Sequence, residues 1–130
     1  MADDREAAQG RGAYDYLPKN RLSERSLTRR LPKCIRGSDI PGRYGGEEFA
    51  VILPNSSKQQ TRVVCERFRK LTANEKFEHG LVQFNLTVSI GFSIFDNSKR
   101  SSPEALIAAA DQALYKAKGK GKNRVVQKSI

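Results

Sequence analysis

Two adjacent glycines, Gly45 and Gly46, are followed by two carboxylates, Glu47 and Glu48, within Arg43-Tyr44-Gly45-Gly46-Glu47-Glu48-Phe49. Few folds accommodate that pattern. Tight hairpin turns need positive φ, which glycine adopts without steric cost, so Gly45-Gly46 reads as a turn between two extended segments. The apolar run Ala50-Val51-Ile52-Leu53 supplies one of those segments, and Arg36-Gly37-Ser38-Asp39-Ile40 leads into the other. Without a Cβ at Gly45 or Gly46, the backbone can also come close to a ligand. Glu47 and Glu48 stand at the turn, where their oxygens can hold a hard cation such as Mg²⁺. These residues suggest phosphate and divalent metal chemistry, with a solvated hairpin tip as the alternative.

The rest of the chain alternates strand and helix patterns. Ser57 to about Asn74 reads as a helix with Val64, Phe68 and Leu71 on its buried stripe. Ser102-Pro103-Glu104 opens a second helix with an N-cap serine, proline at the first position and an acid for the dipole. Leu106, Ile107, Ala110, Leu114 and Ala117 recur along it at helical spacing, and it ends near Gly119. Between the two, Val82, Phe84, Leu86, Val88 and Ile90 alternate with Gln83, Asn85, Thr87 and Ser89, which predicts one long half-buried strand. Phe49 to Leu53 and Arg124 to Gln127 read as further strands. The expected fold is α/β, with helices packed over a sheet.

Three blocks resemble one family in its own order. Tyr44 to Phe49 is similar to the signature of the GGDEF domain, the diguanylate cyclase family, in its Gly-Gly-Glu-Glu-Phe form. Val88-Ser89-Ile90-Gly91 resembles the family's later strand. Ala110 to Lys118, followed by Gly121-Lys122-Asn123-Arg124-Val125, resembles its closing helix and strand. The likeness covers roughly residues 34 to 127 and implies a central, mainly antiparallel sheet flanked by helices, the palm of nucleotide cyclases. Such enzymes join two GTP molecules into cyclic di-GMP with Mg²⁺ or Mn²⁺, across a homodimer. By resemblance, Glu47 and Glu48 are the catalytic metal carboxylates, with Glu47 beside the attacking hydroxyl. Gly45 and Gly46 admit the nucleotide, and Lys118 and Lys122 contact its terminal phosphates. Lys122 stands where arginine is usual, so a forked donor becomes a point charge. Arg36, Asp39 and Arg67 match an inhibitory product site, where guanidinium groups suit phosphate and the guanine edge and a carboxylate accepts from guanine N–H groups.

The N-terminal part carries a different likeness. Gly12 to Lys19 resembles the last strand of a response-regulator receiver domain, and Leu22 to Leu31 the helix after it, with Lys19 in place of that domain's lysine. The expected division is therefore a receiver-like remnant over 1–32 and a truncated GGDEF domain over 33–130, as in two-component signalling. The strand that bears the family's first metal aspartate, and the helices that recognise guanine, are expected to be missing. That implies impaired cyclase turnover and an exposed sheet edge.

Composition bounds the alternatives. At 130 residues, with 38% hydrophobic and 29% charged residues, one soluble domain is expected, and no apolar run approaches the roughly 20 residues of a membrane span. No apolar signal-peptide core follows Met1, so the expected location is cytoplasmic. Cys34 and Cys65 lack metal-ligand spacing and read as reduced buried thiols, and His79, the only histidine, excludes a multi-histidine metal site. A net charge of +10, with Lys116, Lys118, Lys120, Lys122, Arg124 and Lys128 near the end, attracts polyanions. Two readings stand beside the cyclase. One is a non-catalytic cyclic di-GMP-binding regulatory module. The other is a basic nucleic-acid-binding protein, ranked last because the basic segment has no interleaved aromatics and no reader motif.

Overall fold

The structure, a computed structural model, describes residues 6–12, 29–43, 48–96, 98 and 101–130. Seven strands and two long helices are present among them. The strands are β1 (Glu6–Gly12), β2 (Ile40–Arg43), β3 (Glu48–Leu53), β4 (Phe77–His79), β5 (Val82–Phe84), β6 (Val88–Ser93) and β7 (Val125–Gln127). The helices are α1 (Lys58–Asn74) and α2 (Pro103–Gly119). Five strands form one sheet in the order β2-β3-β1-β6-β7, and β4 and β5 form a separate hairpin. All pairings in the main sheet are antiparallel except β6 with β7. No helix among the described residues is long and apolar enough to cross a membrane.

Local chemistry sets both helix starts. Ser57 caps α1 in a capping box: its hydroxyl accepts from the Gln60 N–H, and the Gln60 side chain accepts from the Ser57 N–H. Ser102 accepts from the Ala105 N–H, with Pro103 and Glu104 in the first turn of α2. Lys116 and Lys118 in the last turn of α2 complement the negative end of its dipole.

Two expectations need correction. The sheet does not lack its N-terminal strand: β1 lies at its centre, paired over six positions with β3 and six with β6. Its sequence, Glu-Ala-Ala-Gln-Gly-Arg-Gly, has no β-branched or aromatic residue, so nothing in its propensity announces a strand. Pairing on both edges supplies what propensity does not, and the exposed edge expected at this position is absent. Residues 13–28, on which most of the receiver-like strand and helix falls, lie outside the described residues. Arg29 and Arg30 are helical and lead into a 3-10 turn at Leu31–Lys33.

The long half-buried strand also divides. Val82–Phe84 turns back on β4, Asn85–Thr87 is irregular, and Val88–Ser93 enters the main sheet buried on both faces. Val88, Ile90 and Phe92 join the core beneath α1, with Cys65 and Phe68 of that helix. Ser89, Gly91 and Ser93 are small because α2 lies against them. A Cβ on Gly91 would stand 2.1 Å from the Leu114 nitrogen and 2.4 Å from the Ala110 oxygen. The Ser93 hydroxyl donates to the Leu106 carbonyl of α2 at 2.6 Å. A polar alternation that suggests solvent is instead a backbone-to-backbone seam.

Candidate functional site

β2 and β3 pair antiparallel, with Arg43 opposite Phe49, as a hairpin about the Gly-Gly turn requires. Tyr44, Gly45, Gly46 and Glu47 lie outside the described residues. Glu48 opens β3, half-buried, at one end of the sheet. Register extends that position into a row: Glu48 is opposite Arg11 of β1, and Arg11 is opposite Ser89 of β6. Two inter-strand spacings, roughly 10 Å, therefore separate the Glu48 and Ser89 backbones.

That row bears on the metal. The family resemblance requires a carboxylate on the first strand near the turn. The residues of β1 at that end are Gly10, Arg11 and Gly12, while its one acid, Glu6, is opposite Leu53 at the far end. No group of three or more metal-ligating His, Cys, Asp or Glu residues occurs among the described residues. The neighbouring acids of the turn fit Mg²⁺ or Mn²⁺ arriving with a nucleotide, because Mg²⁺ is commonly held by one or two carboxylates plus substrate phosphates.

Ser89 ties this row to the basic loop after α2. Gly121, Lys122 and Asn123 have φ of +117, +65 and +48, three consecutive residues in the positive range. For Lys122 and Asn123 that conformation costs on the order of 1–3 kcal/mol each and persists only where the surroundings enforce it. The Lys122 N–H donates to the Ala117 carbonyl at 3.0 Å, and the Asn123 N–H donates to the Ser89 hydroxyl at 3.2 Å. From α1, Arg69 Nη1 donates to Asn123 Oδ1 at 3.1 Å. Lys118, in the last turn of α2, and Lys122 are both half-buried. The fold thus brings Lys122 to the same end of the sheet as Glu48, 74 residues earlier (122 − 48).

Of the three residues expected at an inhibitory product site, two line a common cleft and the third does not. Arg36 and Arg67 line one cleft of ≈ 400 Å³ together with Lys33, Ser56, Gln60 and Val63. No acidic side chain among the described residues lines it. Asp39 does not border the cleft: its side chain is fully buried, while that of Arg36 is 54% exposed. Asp39 Oδ2 accepts from the Arg36 backbone N–H at 2.7 Å, and Oδ1 lies 3.7 Å from the Arg36 guanidinium. Oδ1 has no hydrogen-bond partner among the described residues. Arg36 Nη2 donates to the Pro54 carbonyl at 3.1 Å and the Ser56 hydroxyl at 2.5 Å. Cys34 also lines the cleft; burial pushes its thiol pKa up, and the Arg67 and Lys33 charges pull the other way.

Sequence reasoning missed Lys33, Ser89 and Arg69. Arg69 is held by Glu66 three residues before it, a spacing visible in sequence, but its contact with Asn123 spans 54 residues.

The family model for the diguanylate cyclase GGDEF domain matches residues 25–124. The chain belongs to that family. Among curated relatives, the response regulator PleD of Caulobacter vibrioides is 39% identical over 107 residues, covering 81% of this chain and 23% of PleD. Diguanylate cyclase A of Treponema denticola is 39% identical over 95 residues, covering 73% of this chain and 25% of that protein. The chain thus spans about a quarter of the length of these relatives. The crystal structure of the GGDEF domain of DgcB from Caulobacter crescentus, in complex with c-di-GMP, superposes with a TM-score of 0.78 at 23% identity. It covers 94% of this chain and 76% of that one. At that identity the likeness establishes the fold.

Proposed function

We propose that this chain is a nucleotide-responsive domain of the diguanylate cyclase family, with impaired GTP condensation and a retained cyclic di-GMP cleft. The observation that carries the first part is the row Glu48–Arg11–Ser89, which has no acid on β1 beside the turn. Glu47 and Glu48 are then read as the carboxylates that meet a bound Mg·GTP, while Gly45 and Gly46 admit it and Lys118 and Lys122 neutralise its outer phosphates. Bound Mg²⁺ would balance charge on the phosphates. Orienting one GTP 3′-hydroxyl against the α-phosphate of another needs two such domains face to face, so the assembly is a homodimer in the cytoplasm. Residues 1–32 are read as the receiver-like end of a regulator, with part of that segment, β1, recruited into the sheet.

Support for the second part is the convergence of Arg36, Arg67 and Lys33 on a cleft that no acid among the described residues lines, which suits a ligand carrying two phosphates. Asp39 acts from behind by holding the backbone of Arg36. The nucleic-acid reading gains nothing specific, because Lys118 and Lys122 belong to the turn end of the sheet.

Two measurements test this reading. Incubation of pure protein with GTP and Mg²⁺ is expected to yield no sustained cyclic di-GMP by chromatography; steady accumulation overturns the impaired-turnover claim. Titration calorimetry with cyclic di-GMP is expected to give micromolar-range binding, and no heat at that range discards the cleft.

A further inference from the structure

We infer that Arg69 is a positioning residue for the phosphate-contacting loop, holding Lys122 in place through Asn123. The inference rests on the reading of Lys122 as a triphosphate contact and adds how the fold aims it. The loop has no regular structure of its own, and two of its three positive-φ residues are not glycine. Such a backbone needs anchors, and the structure supplies them at Asn123. The Asn123 N–H is taken by Ser89, which is almost fully buried. Its side-chain oxygen is taken by Arg69.

Arg69 is itself prepared for that task. Glu66, one turn earlier on α1, engages Nε and Nη2, with distances of 3.3 Å to Nε and 3.0 Å to Nη2. That fork fixes the plane of the guanidinium and leaves Nη1 directed at Asn123. Lysine could satisfy Glu66 or Asn123 but has no planar fork with which to meet both. The arrangement joins α1 to the loop beside α2 across the sheet end that carries Glu48.

Calorimetric titration of the full chain with Mg²⁺-tripolyphosphate tests the role, with cyclic di-GMP as the second ligand. The variants are Lys122→Ala, Arg69→Lys and Asn123→Gly. Asn123→Gly removes the acceptor while relieving the left-handed backbone, so it preserves or raises the melting temperature. It and Arg69→Lys are each expected to weaken tripolyphosphate binding about fivefold through lost preorganisation. Lys122→Ala is expected to weaken it at least as much, and Arg69→Lys combined with Lys122→Ala no further. Cyclic di-GMP affinity should stay unchanged in Asn123→Gly. A purely structural role would move the melting temperature and leave the affinity alone. If the parent binds and Lys122→Ala weakens binding while Arg69→Lys and Asn123→Gly do not, the positioning role is overturned and the reading of Lys122 survives. If the parent shows no binding, or Lys122→Ala has no effect, that reading falls and the inference falls with it.

Discussion

The Arg36–Arg67 cleft and the Glu48 end of the sheet are built on the same scaffold, yet their described residues present different charged groups. In the cleft, three cations come from two separate segments, and a buried carboxylate locks the backbone of one of them. At the Glu48 end the lysine loop is anchored by Ser89 and Arg69, but β1 contributes Gly10, Arg11 and Gly12 where a carboxylate is needed. Phosphate recognition depends on cations and backbone donors that many segments can supply. Metal-assisted condensation depends on an acid at one register position. A domain can therefore keep ligand recognition while losing chemistry.

The largest expected effects separate the two regions outright. Chelating divalent metal with EDTA should abolish Mg·GTP binding and leave cyclic di-GMP affinity unchanged, because the described lining of the cleft offers guanidinium and ammonium groups and no carboxylate to hold a metal. Equal loss of both ligands by calorimetry would erase the distinction. Gly91→Ala should damage both regions together, since its Cβ would meet backbone atoms of α2 that cannot move aside as a side chain does. Overpacking costs about 1–3 kcal/mol and sometimes more, so a clear fall in the denaturation midpoint is expected. An unchanged midpoint would mean that the α2–β6 seam is looser than its geometry.

Arg36→Ala acts on the cleft alone. Loss of a charged hydrogen-bonding partner costs roughly 1.5–3 kcal/mol, which weakens cyclic di-GMP binding by about 10- to 100-fold. Asp39→Asn should do less, about a fewfold by the same conversion, because an amide oxygen can still accept from the Arg36 N–H. A loss as large as that of Arg36→Ala would place Asp39 in direct contact with the ligand, and the supporting role would fail.

Much of the fold was legible because its signals are local. The cap at Ser102, the helical stripes of α1 and α2, and the apolar run of β3 each lie within a few residues. β1 was not, because Ala and Gly carry no strand signal and its stability comes from partners about forty to eighty residues away. Ser89 misled because a small polar residue buried in a central strand looks like part of a solvated face. The candidate site shows the same divide. Arg36, Arg67, Glu48 and Lys122 could be named from motif positions, whereas Arg69 and Lys33 matter only through distant neighbours. Asp39 was found, but its burial behind Arg36 could not be read from a three-residue spacing.

The two thiols offer the finest comparison, since one borders the cleft and the other lies in the core. Burial pushes Cys65 up to about 12, with Arg62 opposing and Glu66 assisting, and raises Cys34 against the pull of Arg67 and Lys33. A thiol reacts as thiolate, so near pH 9 both should alkylate slowly in the folded protein, with Cys34 the faster of the two. Each folded pKa lies above its unfolded value. The associated stability is therefore complete below the ordinary thiol range and is lost as pH rises, for Cys65 between 9.0 and about 12. An anion in the cleft offsets the charges of Arg67 and Lys33, and this should push Cys34 further up. Cyclic di-GMP should thus slow iodoacetamide labelling of Cys34 about twofold or more, read by peptide mass spectrometry, and leave Cys65 unaffected. Equal protection of both would point to global stabilisation by the ligand, whereas selective protection of Cys34 would localise the ligand to the wall shared by Lys33 and Arg67.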